Sequence, residues 1–446
     1  MTKPRYQNGC VAGSQDCGSA YAPSEYAWNV GFNNGNTNWN NHNNNFVRAV
    51  RSSECHSVSF RSLHAAWRDA RHGKRPSHNQ LSFDTRWMDQ LLDLQQQITE
   101  GKWQPKPPTC FVAKQPKARE IHAPDFADRV VHHWLVPQLT AVYEHTFIHD
   151  SFSNRIGKGT HSAIERLRAF VRQVHSGQGG GWYLQLDIHN FFNSIHRPTL
   201  YAMLKQRIQR KGLPETVLRV THALLRHSPI HFGVHNACTE RERAQIPSHK
   251  QLCNSAPGCG IAIGNLSSQF FAHVYLDALD QFVKHQLKAK RYVRYVDDFV
   301  LVHHDKQQLI EWKVGIESFL KQQLKLSLKA EQKLQPLTSG IDFLGYILYP
   351  THTLVRRRVV SHAKAKLSAW QRSYVTRGRV HASKSQVERI KSVWSSYAGH
   401  FAHANSHRLR QSFNAQFPWL RTLRGEAVRS TRPKPKGGRA ASLCNS

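Results

Sequence analysis

No stretch of this chain approaches the roughly eighteen consecutive apolar residues that a membrane-spanning helix requires, and the start Met1-Thr2-Lys3-Pro4-Arg5 has no apolar core of a secretory signal. Both absences imply a protein without a membrane segment, working in the cytoplasm. Cysteine is sparse, eight in 446 residues, which argues against a disulfide framework and for reduced thiols. Cys238, His249, Cys253 and Cys259 gather loosely before Gly260, but their spacing matches no zinc pattern. Acids are scarce too: 29 Asp and Glu stand against 62 Lys and Arg, for a formal charge of +33. The basic residues run through most of the chain after residue 47, so the implied partner is a polyanion, most naturally nucleic acid. The 29 histidines add further groups able to hydrogen-bond phosphate or sugar.

What is present divides the chain into five stretches. Residues 1–54 carry few charges and many Gly, Ser and Asn, have little to bury, and read as a disordered leader. Globular patterning begins near Phe60. Trp87, Leu91, Leu94 and Ile98 fall at helical spacing, and Gly101 with Pro105-Lys106-Pro107-Pro108 ends that helix. A strand over Cys110 to Ala113 and a basic hairpin over Lys114 to Ile121 follow. Ser162-Ala163-Ile164-Glu165 forms a capping-box pattern ahead of an apolar face of Ile164, Leu167, Val171 and Val174. Just before it, the glycines of Arg155-Ile156-Gly157-Lys158-Gly159 would let backbone amides approach an anion. Another helix is expected after Gly260-Ile261-Ala262-Ile263-Gly264-Asn265, capped by Asn265 or Ser267. Glu311 to Leu328 reads as a helix and Ile341 to Ile347 as a strand. From Val355 the chain is basic and mostly helical, with Trp370, Ile390, Val393, Trp394, Tyr397 and Phe401 as core candidates, and the tail from about residue 431 reads as disordered.

The most telling segment is Tyr295-Val296-Asp297-Asp298, two adjacent carboxylates between apolar runs that alternate like the strands of a hairpin. Like charges crowded in an apolar setting are unfavourable unless a cation offsets them, and an all-oxygen set suits Mg²⁺. A third acid, Asp187, ends the strand-like Trp182-Tyr183-Leu184-Gln185-Leu186 run and precedes Ile188-His189-Asn190-Phe191-Phe192. Three such acids could hold two metals for phosphoryl transfer.

Asp187 with Phe191-Phe192, Ile263-Gly264-Asn265 with Ser268-Gln269, the Tyr295-Val296-Asp297-Asp298 hairpin and Phe343-Leu344-Gly345-Tyr346 occur in the order seen in reverse transcriptases, over about residues 80–350. Within that superfamily, the Ile-Gly-Asn segment resembles the enzymes of diversity-generating retroelements more than the Pro-Gln-Gly of group II intron enzymes. The resemblance implies an α+β right-hand polymerase, with fingers at about 55–180, a palm of antiparallel sheet and helices at about 181–350, and a basic helical thumb at about 351–430. It implies catalytic and metal-holding roles for Asp187, Asp297 and Asp298, with Ile188 beside them in the metal site, and two Mg²⁺ ions for which Mn²⁺ could substitute. Lys114, Arg119 and Arg155 would contact the deoxynucleoside triphosphate or template, Phe192 would be a steric gate against the 2′-hydroxyl, and Gln269 would lie at a helix N-terminus facing the nucleotide. Ile263 stands where most of the superfamily has Gln, and a branched aliphatic cannot make that amide's hydrogen bonds. The family function implied is error-prone copying at template adenines.

The implied partners are template RNA, cDNA, target DNA and a small basic helical-bundle accessory protein, in a bacterial or phage-encoded system. Lys329 and Lys333 both remain open as a general acid. Residues 26–51 resemble the end of a retroelement's variable target protein, so the leader reads as translated template repeat. The rival readings are a group II intron-like or retron-like reverse transcriptase of ordinary fidelity, and a catalytically idle RNA-binding polymerase fold.

Overall fold

The computed structural model describes residues 58–73, 75–114, 117–227 and 229–422, with the backbone of Ala27–Gly31 and Asn36–Asn40. Those two short leader segments pair as antiparallel strands, where composition had suggested little order. The rest of the leader and the tail from residue 431 lie outside the described residues.

The centre of the molecule is a four-stranded antiparallel sheet in the order Tyr292–Tyr295, Asp298–His303, Trp182–Asp187, Lys333–Pro336. Its strands alternate large apolar residues on both faces, and both faces are covered. Leu184, Leu186, Tyr292, Phe299 and Leu301 join the largest core, shared with the helices Leu266–Gln281 and Lys306–Gln323. Tyr183, Val293, Val300 and Val302 point the other way, into a second core against Ile164, Leu167, Val171 and Val174 of the Thr160–Gln178 helix. Side chains that alternate with period two can serve two cores only when both faces are buried, which fixes the register.

Element boundaries differ from the sequence reading in three places. The Thr160–Gln178 helix starts at Gly159 without a side-chain cap, so Ser162 and Glu165 lie inside the first turns instead of forming a capping box. The helix expected over Glu311 to Leu328 runs from Lys306 to Gln323, because Asp305 accepts a hydrogen bond from the Gln307 N–H and starts it earlier. The single strand expected over Ile341 to Ile347 is a hairpin, Ile341–Phe343 against Tyr346–Leu348, reversed at Leu344 (φ 49°) and Gly345 (φ 90°).

Ahead of the sheet, the strand expected at Cys110 to Ala113 lies in Thr109–Ala113 and pairs antiparallel with Arg119–Ala123, so the hairpin expected within Lys114 to Ile121 instead takes that strand as its first arm. A third strand, His235–Asn236, lies parallel to Thr109–Cys110. The stretch expected to form one continuous palm therefore sends a segment back to the hairpin, a long-range pairing with no local sequence signal. Beyond Val355, the helices Arg357–Tyr374, Lys384–Ala402 and His407–Gln416 close a separate core around Trp394, Tyr397, Phe401 and Phe413. No helix among the described residues is long and apolar enough to cross a membrane.

Candidate active site

The sheet register brings the acids together. Asp187 pairs directly with Asp298, and Asp297 occupies the two-residue turn between Tyr295 and Asp298. The turn holds Val296 at φ 55°, a left-handed conformation that a β-branched residue adopts only under strain. Ile188, fully buried, donates its N–H to the Asp297 carbonyl at 3.3 Å and ties the end of one strand to the turn.

Burial raises the carboxyl of Asp297 to about 6, with the neighbouring Asp187 charge adding to it. Burial likewise raises Asp298 to about 7, against a hydrogen bond from Gln185 that favours the ionised form. Gln185 Nε2 spans the Asp298 carboxylate at 3.2 and 3.4 Å and the Asp342 carbonyl at 3.1 Å. Lys329 forms an ion pair with Asp187 Oδ2, and its N–H donates to the Asp187 carbonyl at 2.8 Å. The other carboxylate oxygen, Asp187 Oδ1, is buried with no hydrogen-bond partner. An orphaned buried carboxylate oxygen beside two acids held toward their neutral forms is a donor set that suits a hard divalent cation.

The turn rests on a buried ion pair that the sequence reading missed. Arg294 and Asp280 are both almost fully buried, with Nε to Oδ1 at 2.7 Å and Nη2 to Oδ2 at 2.5 Å. The Tyr292 hydroxyl donates to Asp280 Oδ1 at 2.7 Å, while Arg294 Nη1 donates to the Val296 carbonyl at 3.0 Å. Arg294 thus couples the strained turn to the Leu266–Gln281 helix. An arginine inside the otherwise apolar Arg291 to Tyr295 flank was the available signal.

A ring of basic side chains faces the acids. Arg119, at the start of the second hairpin strand, is near enough for its charge to pull the Asp297 carboxyl downward. Lys250 is held below its ordinary value first by desolvation and then by the charges of Lys117, Lys329 and Arg119. Four crowded cations beside three acids bring opposite charges together in a way suited to a triphosphate and its counter-ions. Lys250 sits on a short helical turn, Ser248–Lys250, that approaches the acids because Asn190 Nδ2 donates to the His249 carbonyl and the His189 and His249 rings stack at 5.8 Å. Phe191 packs in the core, whereas Phe192 is half-buried and its carbonyl accepts from the Ile261 N–H at 3.0 Å.

The Ile263 carbonyl accepts from the His122 N–H at 2.7 Å, which seats the Ile263-Gly264 turn on the hairpin. Gly264 sits at φ +126°, and a Cβ there would lie 2.8 Å from the His122 carbonyl oxygen. Only glycine allows so close an approach.

A family model described as reverse transcriptase (RNA-dependent DNA polymerase) matches residues 104–348, more than half of the chain. The chain belongs to the reverse transcriptase family. It is an RNA-directed DNA polymerase with a right-hand polymerase fold, and the matched span carries all three acids and the hairpin. It is similar to the protein YkfC of Escherichia coli strain K12, at 22% identity over 63% of this chain and 75% of that protein. It is also similar to the group II intron-encoded protein LtrA of Lactococcus lactis subsp. cremoris, at 20% identity over 58% of this chain; it spans about half (49%) of that protein's length. A solved apo telomerase from Candida tropicalis aligns with TM-score 0.42 and 11% identity over 58% of each chain.

Of the reverse transcriptase residues expected from sequence, Asp187, Ile188, Asp297 and Asp298 meet at one end of the sheet, with Arg119 near them. Gln269 lies in the first turn of the Leu266–Gln281 helix, whose N-cap residue is Asn265. Lys114 is turned toward Glu242, with which it pairs at 2.8 Å. Arg155 departs from expectation. Arg155 is 9% exposed, and its guanidinium is engaged by Glu144 at 2.8 and 2.9 Å, the Ile148 carbonyl at 2.6 Å and Ser151, so it ties together the segment ahead of the Gly-rich turn. Between the two lysines left open, Lys329 lies on Asp187 while Lys333 sits exposed on the outer strand.

Proposed function

We propose that this reverse transcriptase copies a template-repeat RNA into cDNA and does so with errors at template adenines, as mutagenic retrohoming requires. In this reading Asp187 and Asp297 hold two divalent cations, Mg²⁺ with Mn²⁺ as a substitute, with Asp298 assisting from its Gln185 hydrogen bonds and the Ile188 carbonyl beside them. The chemistry such cations supply when bound is activation of the primer 3′-hydroxyl and stabilisation of the leaving pyrophosphate. The chain's own residues do the positioning. Arg119, Lys117 and Lys250 receive the triphosphate, with Lys114 and Gln269 completing the nucleotide site, and Phe192 excludes a ribose 2′-hydroxyl. Lys329 donates a proton to the pyrophosphate, since it lies on Asp187 and Lys333 does not. Arg155 supports the fingers from within. The fingers span about 55–180, the palm 181–350 and the thumb 351–430, and a basic accessory protein and target DNA complete the system.

The observation that carries the fidelity reading is Ile263, a half-buried aliphatic on the turn seated against His122, at the position where an amide would check the nascent pair. Without that polar check, a mispair leaves no buried hydrogen-bonding group unsatisfied, and discrimination falls. The likeness to LtrA favours a second reading, a group II intron-like enzyme of ordinary fidelity.

Primer extension separates the two. The protein is given an adenine-containing RNA template, deoxynucleotides and Mg²⁺, with Asp297→Ala in parallel, and the products are sequenced. Errors concentrated at template adenines and no product from Asp297→Ala are expected. Accurate product from the wild type would overturn the mutagenic reading, and undiminished product from Asp297→Ala would overturn the site.

A further inference from the structure

A second, separate cluster of ligating side chains lies on the hairpin. The register sets Cys110 opposite His122 and Val112 opposite Glu120, and the period of two places Glu120 and His122 on the face that Cys110 shares. The parallel strand His235–Asn236 continues to Ala237, whose N–H donates to the Cys110 carbonyl at 2.9 Å, and this delivers Cys238 beside Cys110. Among the described residues, Cys110, Glu120 and His122 are the one group of three His, Cys, Asp or Glu side chains whose ligand atoms all lie within 4.8 Å of one another.

Three features distinguish this cluster from ordinary packing. His122 is 4% exposed, yet neither ring nitrogen has a hydrogen-bond partner, a costly state for a buried imidazole. Glu120 Oε1 stands 3.6 Å from Cys110 Sγ and 3.6 Å from His122 Nε2. A tetrahedral zinc ion with bonds of about 2.3 Å to sulfur and about 2.1 Å to nitrogen and oxygen needs separations of about 3.6 Å for S···O and about 3.4 Å for N···O. Finally, the second oxygen of Glu120 already accepts the Leu252 N–H at 2.7 Å, the kind of outer hydrogen bond that orients a metal-binding carboxylate.

We propose that Cys110, Glu120 and His122 form a structural Zn²⁺ site, with Cys238, whose sulfur stands more than 4.8 Å from at least one of these three, closing on the ion as the fourth ligand. Two sulfurs, one imidazole and one carboxylate favour Zn²⁺ over Mg²⁺. Both thiols lose their protons to solvent as the ion binds, and Arg243, which lies against both thiols, turns outward toward Asn236, to whose Oδ1 it already donates at 2.5 Å. The ion clasps three segments that are far apart in sequence: the hairpin carrying Arg119, the turn carrying Ile263 through the His122 N–H, and the segment carrying Lys250 through Leu252. Sequence spacing could not reveal it. Cys238 has its partners far upstream, and neither Cys253, which is exposed, nor Cys259 is among them.

The test uses the full chain, purified without chelator and passed over chelating resin in Mg²⁺-free buffer, with bound metal measured by mass spectrometry. About one equivalent of zinc is expected in the wild type and in Cys253→Ser, and at least tenfold less in Cys238→Ser and His122→Gln. Cobalt substitution of the wild type, which needs no variant to fold, should give the intense visible bands of tetrahedral Co²⁺ with a thiolate charge-transfer band. Wild-type protein that retains no zinc and shows no thiolate band with Co²⁺ would overturn the proposal, as would equal zinc in wild type and Cys238→Ser.

Discussion

Replacing Arg294 by Met removes the only guanidinium that touches Asp280 and the only side-chain donor reaching the Val296 carbonyl among the described residues. The single change leaves Asp280 buried and charged, for which a cost of about 3–5 kcal/mol is expected, a large share of a typical folding free energy. Adding Asp280→Leu removes that orphaned charge, and such paired replacements are commonly neutral or stabilising by about 1–4 kcal/mol. The Tyr292 hydroxyl then loses its acceptor, a further cost of about 1 kcal/mol. The double variant should therefore unfold in urea close to the wild type, while Arg294→Met alone is strongly destabilised. Activity should not recover with stability. Val296 at φ 55° carries strain of about 1–3 kcal/mol, and without the Nη1 bond nothing in the pair holds it, so Asp297 shifts. A displacement near 1 Å at a reacting centre costs about a hundredfold in rate. Steady-state primer extension should thus show kcat down about a hundredfold in the double variant, with the nucleotide KM little changed. A double variant that is both stable and fully active would refute the coupling of this ion pair to the turn.

Three further outcomes follow from the same geometry. Gly264→Ala should lose about 2–3 kcal/mol and weaken nucleotide binding, because its Cβ would meet the His122 carbonyl at 2.8 Å from a φ of +126°; a wild-type melting curve would contradict this. Lys329→Ala should lower kcat by about 10²–10³, while Lys333→Ala stays within about twofold; the reverse pattern would reassign the proton donor. His161 is held down to about 4, first by burial and then by His403 and His400 at the end of the Lys384–Ala402 helix, with Tyr346 on its other side and Arg168 donating to the His403 carbonyl. Its folded value lies below its ordinary 6.5, so the stability it contributes is present above pH 6.5 and lost as pH falls toward 4. After discounting for its partial exposure, about 1–2 kcal/mol should disappear over that window, and His161→Leu should flatten this part of the stability profile.

The order of elements, the apolar faces and the acids were legible in sequence because they are local. Helical spacing marks Leu91, Leu94 and Ile98, period two marks the strands around Asp297, and a pair of like charges in an apolar run is unfavourable without a cation to offset it. Boundaries failed where one residue decided them, as at Asp305, or where a turn interrupted an apolar run, as at Leu344 and Gly345. Arg155 misled because charge in a Gly-rich turn reads the same whether it faces solvent or Glu144. The family and the three acids that the sheet brings together were thus legible in sequence, since both reside in short contiguous patterns. Only the tertiary structure decided that Arg294 grips Asp280, that Lys329 and not Lys333 meets Asp187, and that the His235–Asn236 strand returns to the hairpin on which Cys110, Glu120 and His122 gather. Those contacts join residues distant along the chain, and their partners are chosen by sheet register and core packing, which no local pattern encodes.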